Sequence, residues 1–316
     1  MSALTGIWLG LACGVAAGAA WGLVFLAPEL AAEFSPLQLA AARYLAYGLI
    51  AAALVLPRWQ ALRRQVGVRE WRALFWLSLL GNSLYYVLLA NAVQQGGMAM
   101  TSLVIGFLPV AVTWVGSRGA GAVPLRRLAP ALVLGLAGVA CIAWESLARA
   151  SDVPSGQRWL GFACAVGALA SWSAYAVGNS RQLARLQGVS AHDWSLLTGV
   201  VTGAQALVLA VPAFALADLA QPAAAWWRFA GVSAGVALLA SVLGNALWNQ
   251  ASRLLPLTLV GQMVVFETLF ALLYGFLWAA RWPTAWEWAA MVLVTSAVLS
   301  CISAHRAPVP VDEMHP

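Results

Sequence analysis

Ten apolar stretches of bilayer-spanning length fill residues 6 to 304, and they constrain the fold more than any motif does. A helix crossing the hydrocarbon needs about 20 apolar residues at a rise of about 1.5 Å each. Stretches of that kind are predicted at 6–27, 36–56, 72–92, 98–117, 129–147, 158–178, 193–215, 227–250, 257–279 and 285–304. An apolar content of 62 % with 9 % charged residues excludes an ordinary soluble domain. The joins are short and leave no room for a separate catalytic domain. The expected fold is an all-α polytopic membrane bundle of ten transmembrane helices.

The first stretch of each half is spelled almost alike. Trp8-Leu9-Gly10-Leu11-Ala12-Cys13-Gly14-Val15 returns 151 residues later as Trp159-Leu160-Gly161-Phe162-Ala163-Cys164-Ala165-Val166, and 9 of the 14 positions from 8 to 21 are identical. Both segments end on a tryptophan, Trp21 and Trp172. Five spans is an odd number, so a duplicated unit re-enters the membrane from the opposite side. That predicts two inverted five-helix repeats around a central cavity: residues 1–150, residues 151–306, and a short cytoplasmic tail 307–316. The linker runs from Ala148 to Gln157. In spans 3 and 8 two registers compete: Asn91 against Asn249, or Gly81-Asn82-Ser83 against Gly244-Asn245-Ala246.

Net charge is +6, carried entirely by arginine. Arg58, Arg63, Arg64, Arg69, Arg72, Arg118, Arg126, Arg127, Arg181, Arg185, Arg253 and Arg306 fall in alternate loops or the tail. The opposite loops hold Arg149, Arg158, Arg228 and Arg281 beside Glu29, Glu33, Asp152, Asp218 and Glu287. This bias is a topology signal that puts both termini in the cytoplasm, and it argues against a nucleic-acid partner. The first span lacks the charged n-region of a signal peptide. Cys13, Cys141, Cys164 and Cys301 lie within spans and read as small packing residues. Span 1 carries a glycine every fourth residue from Gly6 to Gly22, a stripe suited to close helix approach or to sliding.

Two ionisable groups fall well inside the hydrocarbon, Arg43 in span 2 and Glu267 in span 9. Buried charges in a membrane pair with each other or face an aqueous cavity. Their depths differ by about 5 Å, so both are expected at one central cavity. Polar and aromatic residues gather at similar depth: Asn82, Tyr85 and Tyr86 on span 3, Asn245, Trp248 and Asn249 on span 8, and Trp21, Trp172, Tyr175 and Asn179. Amides there need partners, which neighbouring helices or a substrate supply. Tryptophans at span ends read as interfacial anchors. Gln94-Gln95-Gly96-Gly97 is expected to be a short turn between spans 3 and 4, and Pro109 to interrupt span 4. No histidine and no aspartate lies in mid-membrane, and no phosphate-binding loop is present. Neither an enzyme nor an ATP-driven pump is expected, and no cofactor or metal.

The duplicated unit, Arg43-Tyr44 in span 2 and Leu108-Pro109-Val110 in span 4 resemble the drug/metabolite transporter superfamily, in its EamA-type ten-helix exporters. Span 9 departs from that pattern, with Phe266-Glu267-Thr268 where the proline would recur. The tryptophan content and small loops look like the YddG-type aromatic amino-acid exporters. This resemblance implies a central cavity formed by helices 1, 3, 4, 6, 8 and 9, with helices 5 and 10 outermost. It implies secondary-active export of aromatic and other neutral amino acids across the bacterial inner membrane, by a monomer. The alternative is export of drugs, lipophilic cations or another metabolite. Arg43, Asn82, Asn245, Asn249 and Glu267 would meet the zwitterion, with Trp21, Tyr85, Tyr86, Trp172, Tyr175 and Trp248 around the side chain.

Overall fold

Lipid offers no partner to a backbone N–H or C=O, which leaves helices as the spanning form for a chain this apolar. The computed structural model describes residues 3–31, 33–105, 107–116, 123–148, 155–186, 188–217, 219–278, 280 and 282–306, and these contain helices and no strand. The main helices are α1 Ala3–Gly22, α2 Pro36–Val55, α3 Trp59–Gln65, α4 Val68–Ser78, α5 Leu84–Ile105, α6 Leu108–Gly116 and α7 Leu125–Ala148. They continue with α8 Ser155–Arg185, α9 Ala191–Ala215, α10 Ala223–Val236, α11 Asn245–Leu254, α12 Leu257–Met263, α13 Val265–Trp278 and α14 Ala285–Arg306. Two π-helical segments, Leu79–Ser83 and Ala237–Gly244, join α4 to α5 and α10 to α11. Among the described residues seven helical segments are long and apolar enough to cross a membrane: Thr5–Gly22, Leu37–Gln65, Val68–Leu89, Trp159–Arg185, Ala191–Ala215, Ala223–Leu254 and Leu257–Trp278. Ala285–Cys301 is a shorter apolar helix. Arg118, Arg149, Asp152, Pro154, Asp218, Arg281 and the tail 307–316 lie outside the described residues.

Local signals explain several boundaries. Ser35 caps α2, its hydroxyl accepting from the Gln38 amide at 3.2 Å while Gln38 accepts from the Ser35 amide at 2.9 Å, with Pro36 following. The join of spans 3 and 4 differs from expectation. The segment Gln94–Gly97 is helical backbone within α5 rather than a loop. Ala92 and Val104 nevertheless join Ala165 in one buried cluster. On a straight helix they would stand about 18 Å apart, so α5 bends back between them. Span 4 is interrupted beside Pro109, as expected: α5 ends at Ile105 and α6 begins at Leu108, so that Pro109 lies in the first turn of α6, where its missing N–H forfeits no intrahelical bond.

Packing is pairwise. α2 lies on α9, α5 on α8, α1 on α11 and α13, α6 on α12, and α7 on α14. The glycine stripe of α1 permits the closest of these contacts. A β-carbon on Gly14 would come 2.6 Å from Met263, and one on Gly18 would come 2.6 Å from Phe266. Gly48 of α2 and Gly203 of α9 meet backbone to backbone, a β-carbon on either falling 2.5 to 2.6 Å from the other's Cα. One end of the bundle is clipped by Arg58–Asp193 at 2.9 Å, and the other by Glu33–Arg228. The Glu33 carboxyl, in the loop before α2, is held below its ordinary range first by its own backbone amide and then by the Arg228 guanidinium. That clip is therefore intact at neutral pH and is lost as acidification carries Glu33 through its lowered pKa.

Overpacking costs typically about 1–3 kcal/mol. Gly203→Ala is therefore expected to lower the thermal unfolding temperature of the detergent-solubilised protein, measured beside Gly231→Ala, whose β-carbon would meet nothing within 4 Å.

Candidate functional site

The π segments create the site's scaffold. A π turn releases a carbonyl from the helical ladder, and in lipid that oxygen must find another donor. The indole N–H of Trp21 donates to the Ala240 carbonyl at 3.0 Å. Ser171, beside Trp172, donates to the Leu80 carbonyl at 2.8 Å, and the Tyr44 hydroxyl donates to the Asn82 carbonyl at 3.5 Å. Each irregularity is thereby tied to another helix.

Trp21, Trp172 and Trp248 converge from three helices. Their ring centroids lie 6.2 Å (Trp21–Trp172), 5.1 Å (Trp21–Trp248) and 5.4 Å (Trp172–Trp248) apart, and all three side chains are buried. Tyr175 extends the cluster with its ring 5.8 Å from Trp172, filling space that the absent side chain of Gly81 leaves. The indole N–H of Trp248 has no acceptor although the residue is 1 % exposed. The trio packs as one buried aromatic cluster.

Arg43 sits on the buried face of α2. Its Nε donates to the Ser241 hydroxyl at 3.0 Å, and its guanidinium carbon lies 5.1 Å from the Tyr44 ring centre and 5.6 Å from that of Tyr86. Tyr44 and Tyr86 meet edge to face at 5.9 Å. Cation–π contacts strengthen as water is removed, so this cage holds a charge that lipid would reject. Glu267, on α13 against Gly18, is near enough to Arg43 and Tyr85 to feel them electrostatically, yet it is not ion-paired to Arg43. Glu267 and Tyr85 keep partial exposure, whereas Tyr86 is buried. Arg43, Tyr85, Tyr86 and Glu267 thus form one neighbourhood.

The amides serve elsewhere. Asn82 donates to Thr202 at 3.2 Å, and Asn245 to the Tyr47 hydroxyl at 3.4 Å; that hydroxyl donates to the Ser195 carbonyl at 2.8 Å. Asn179 donates to Asn249 at 2.8 Å and accepts from Trp194 at 2.9 Å. These bonds tie α9 to α2, α8 and the first π segment, and α11 to α2 and α8. Asn82 and Asn245 stand at corresponding places in or just after the π segments, as the Gly81-Asn82/Gly244-Asn245 register implies. Sequence reasoning missed Ser241, Tyr44 and Thr202. Tyr44 and Tyr47 flank Arg43 at helical spacing, and Trp194, Thr198 and Thr202 repeat every four residues on α9, a polar stripe in an apolar span. Among the described residues no group of three metal-ligating side chains converges.

The sequence pattern of the EamA-like transporter family matches residues 8–144. The chain is 31 % identical over 269 residues to "Inner membrane protein YtfF" of Escherichia coli (strain K12), an alignment covering 80 % of this chain and 82 % of that protein. The chain belongs to the EamA-like transporter family. A solved crystal structure superposes on 93 % of this chain and 98 % of its own with a TM-score of 0.69 at 19 % identity, which supports a shared fold. As an EamA-type protein this is a polytopic membrane transporter of small molecules within the drug/metabolite transporter superfamily.

Scaffold and site should separate experimentally. Asn249→Leu strands the buried Asn179 amide, at a cost of about 1–3 kcal/mol. It is expected to lower thermal stability clearly. Tyr85→Phe should leave unfolding temperature unchanged and alter transport alone; a matching loss of stability would place Tyr85 in the scaffold.

Proposed function

We propose that this protein is a secondary-active exporter of amino acids, aromatic and other neutral ones, working by alternating access in the bacterial inner membrane. What supports the reading is the Arg43–Glu267 neighbourhood: two ionisable groups of opposite type, near each other and not bonded together. A zwitterion completes both. Its carboxylate suits the guanidinium of Arg43, whose Nε is taken by Ser241. Its ammonium suits Glu267. Tyr85, Tyr86 and the tryptophan cluster with Tyr175 offer apolar and aromatic faces to the side chain.

Ten spans in two inverted repeats fit the contact pattern. Exchanging each span of one half for its counterpart turns the α5–α8 contact into the α11–α1 contact and returns the α2–α9, α6–α12 and α7–α14 contacts to themselves. The reciprocal Gly48–Gly203 approach and the two π segments obey the same exchange. The printed name of the YtfF relative supports the inner-membrane location, and the arginine bias supports cytoplasmic termini. Asn82, Asn245 and Asn249 act in this reading as the frame that moves with the site.

A second reading, export of lipophilic cations, draws on Glu267 lacking an ion-pair partner in Arg43 beside aromatic rings. Counterflow in proteoliposomes separates the two. For amino-acid export, labelled phenylalanine should exchange only in protein-containing vesicles. Losing a charged hydrogen bond worth about 1.5–3 kcal/mol predicts about a 10- to 100-fold lower transport efficiency for Arg43→Gln. Glu267→Gln should fall similarly. Equal leakage with and without protein rejects amino-acid export, and cation exchange that survives Arg43→Gln but not Glu267→Gln establishes the second reading.

A further inference from the structure

Four arginines crowd the turn at Gly67: Arg63 and Arg64 at the end of α3, and Arg69 and Arg72 in the first turns of α4. All four are exposed. Among the described residues none is paired with a carboxylate. Glu70, the acid of this segment, accepts from the Gly67 amide at 2.9 Å, and Asp193 is engaged by Arg58 at 2.9 Å. Arg69 and Arg72 also stand where the α4 dipole disfavours cations. Neither helix stability nor an internal partner accounts for the cluster.

Arg253 and Arg228, by contrast, are satisfied within the protein. Arg253 donates to the Leu186 and Val189 carbonyls at 3.3 and 2.7 Å, and Arg228 meets Glu33. The α3–α4 segment is fastened to the body of the bundle from beneath. Leu62 and Val66 are buried, and the Trp59 and Trp71 rings meet edge to face at 6.0 Å. Leu56 and Val68 flank the arginines and are 72 % and 79 % exposed. The segment joins two membrane-crossing stretches, Leu37–Gln65 and Val68–Leu89, so it lies at a lipid–water boundary. Unpaired cations with apolar flanks at that boundary complement phosphate above and acyl chains below.

We propose that the α3–α4 turn is a docking platform for anionic phospholipid headgroups. Arg63 with Arg64, and Arg69 with Arg72, receive the phosphates, while Leu56 and Val68 enter the acyl region. The lipid fixes the join between the second and third spans, next to the Arg58–Asp193 clip.

The test uses the full-length protein in a neutral detergent, with thermal unfolding followed as phosphatidylglycerol, cardiolipin or phosphatidylcholine is added at matched mole ratio. The two anionic lipids are expected to raise the unfolding temperature, phosphatidylcholine is not, and molar salt should remove the effect. The combined variant Arg63→Gln, Arg64→Gln, Arg69→Gln, Arg72→Gln should shrink the anionic shift roughly three-fold or more. The same four positions changed to Lys should keep it, as should the control Arg181→Gln, Arg185→Gln. If the fourfold glutamine variant does not fold, Arg63→Gln, Arg64→Gln alone should halve the anionic lipid retained in native mass spectra. Equal stabilisation by phosphatidylcholine, an equal loss in the control, or full reproduction of the shift by inorganic phosphate would each overturn the platform.

Discussion

Every irregularity in this helical bundle is governed by the absence of water from hydrocarbon. A carbonyl released by a π turn has no solvent to fall back on, and leaving it unpaired costs more than an ordinary membrane hydrogen bond of about 0.6 kcal/mol contributes. The donors that answer are Trp21 for Ala240, Ser171 for Leu80 and Tyr44 for Asn82. Two of these three bonds join the front part of the chain to the rear part. The same distortions that weaken individual helices therefore cross-link the protein.

The site follows from that frame. The π segment Ala237–Gly244 brings Ser241 to the Nε of Arg43, and α2 holds the guanidinium against two tyrosine faces. A membrane protein that needed only to neutralise this charge could have placed a carboxylate against it. Instead Glu267 stands in the same neighbourhood without being ion-paired to Arg43, and the reading proposed above rests on that separation.

Periodicity and charge were readable along the chain because they are local. The apolar stretches and the glycine stripe of α1 each depend on residues a few positions apart, and the structure places α1 against α13 through that stripe. Arg43 and Glu267 stood out because a charge in an apolar run needs a reason. Hydrogen bonding was not readable in the same way. Asn82, Asn245 and Asn249 looked equivalent to Arg43 as polar intruders, yet each amide is satisfied by a helix far away in sequence. The turn expected at Gln94–Gly97 failed for a related reason: two glycines permit a bend without requiring the helical hydrogen bonds to break.

By itself the sequence determined that this chain lives in a membrane, that it is helical, and that two ionisable groups fall within apolar spans, since each follows from composition and from a rise of about 1.5 Å per residue. Only the tertiary structure decided which polar groups are frame and which are left facing one another. The partner of a buried donor is chosen by helices brought together across the whole chain, and nothing near Asn179 in sequence announces Asn249. Nor does anything near Trp21 announce the oxygen of Ala240, which exists as an acceptor because a helix more than two hundred residues later takes π turns that hold an extra residue.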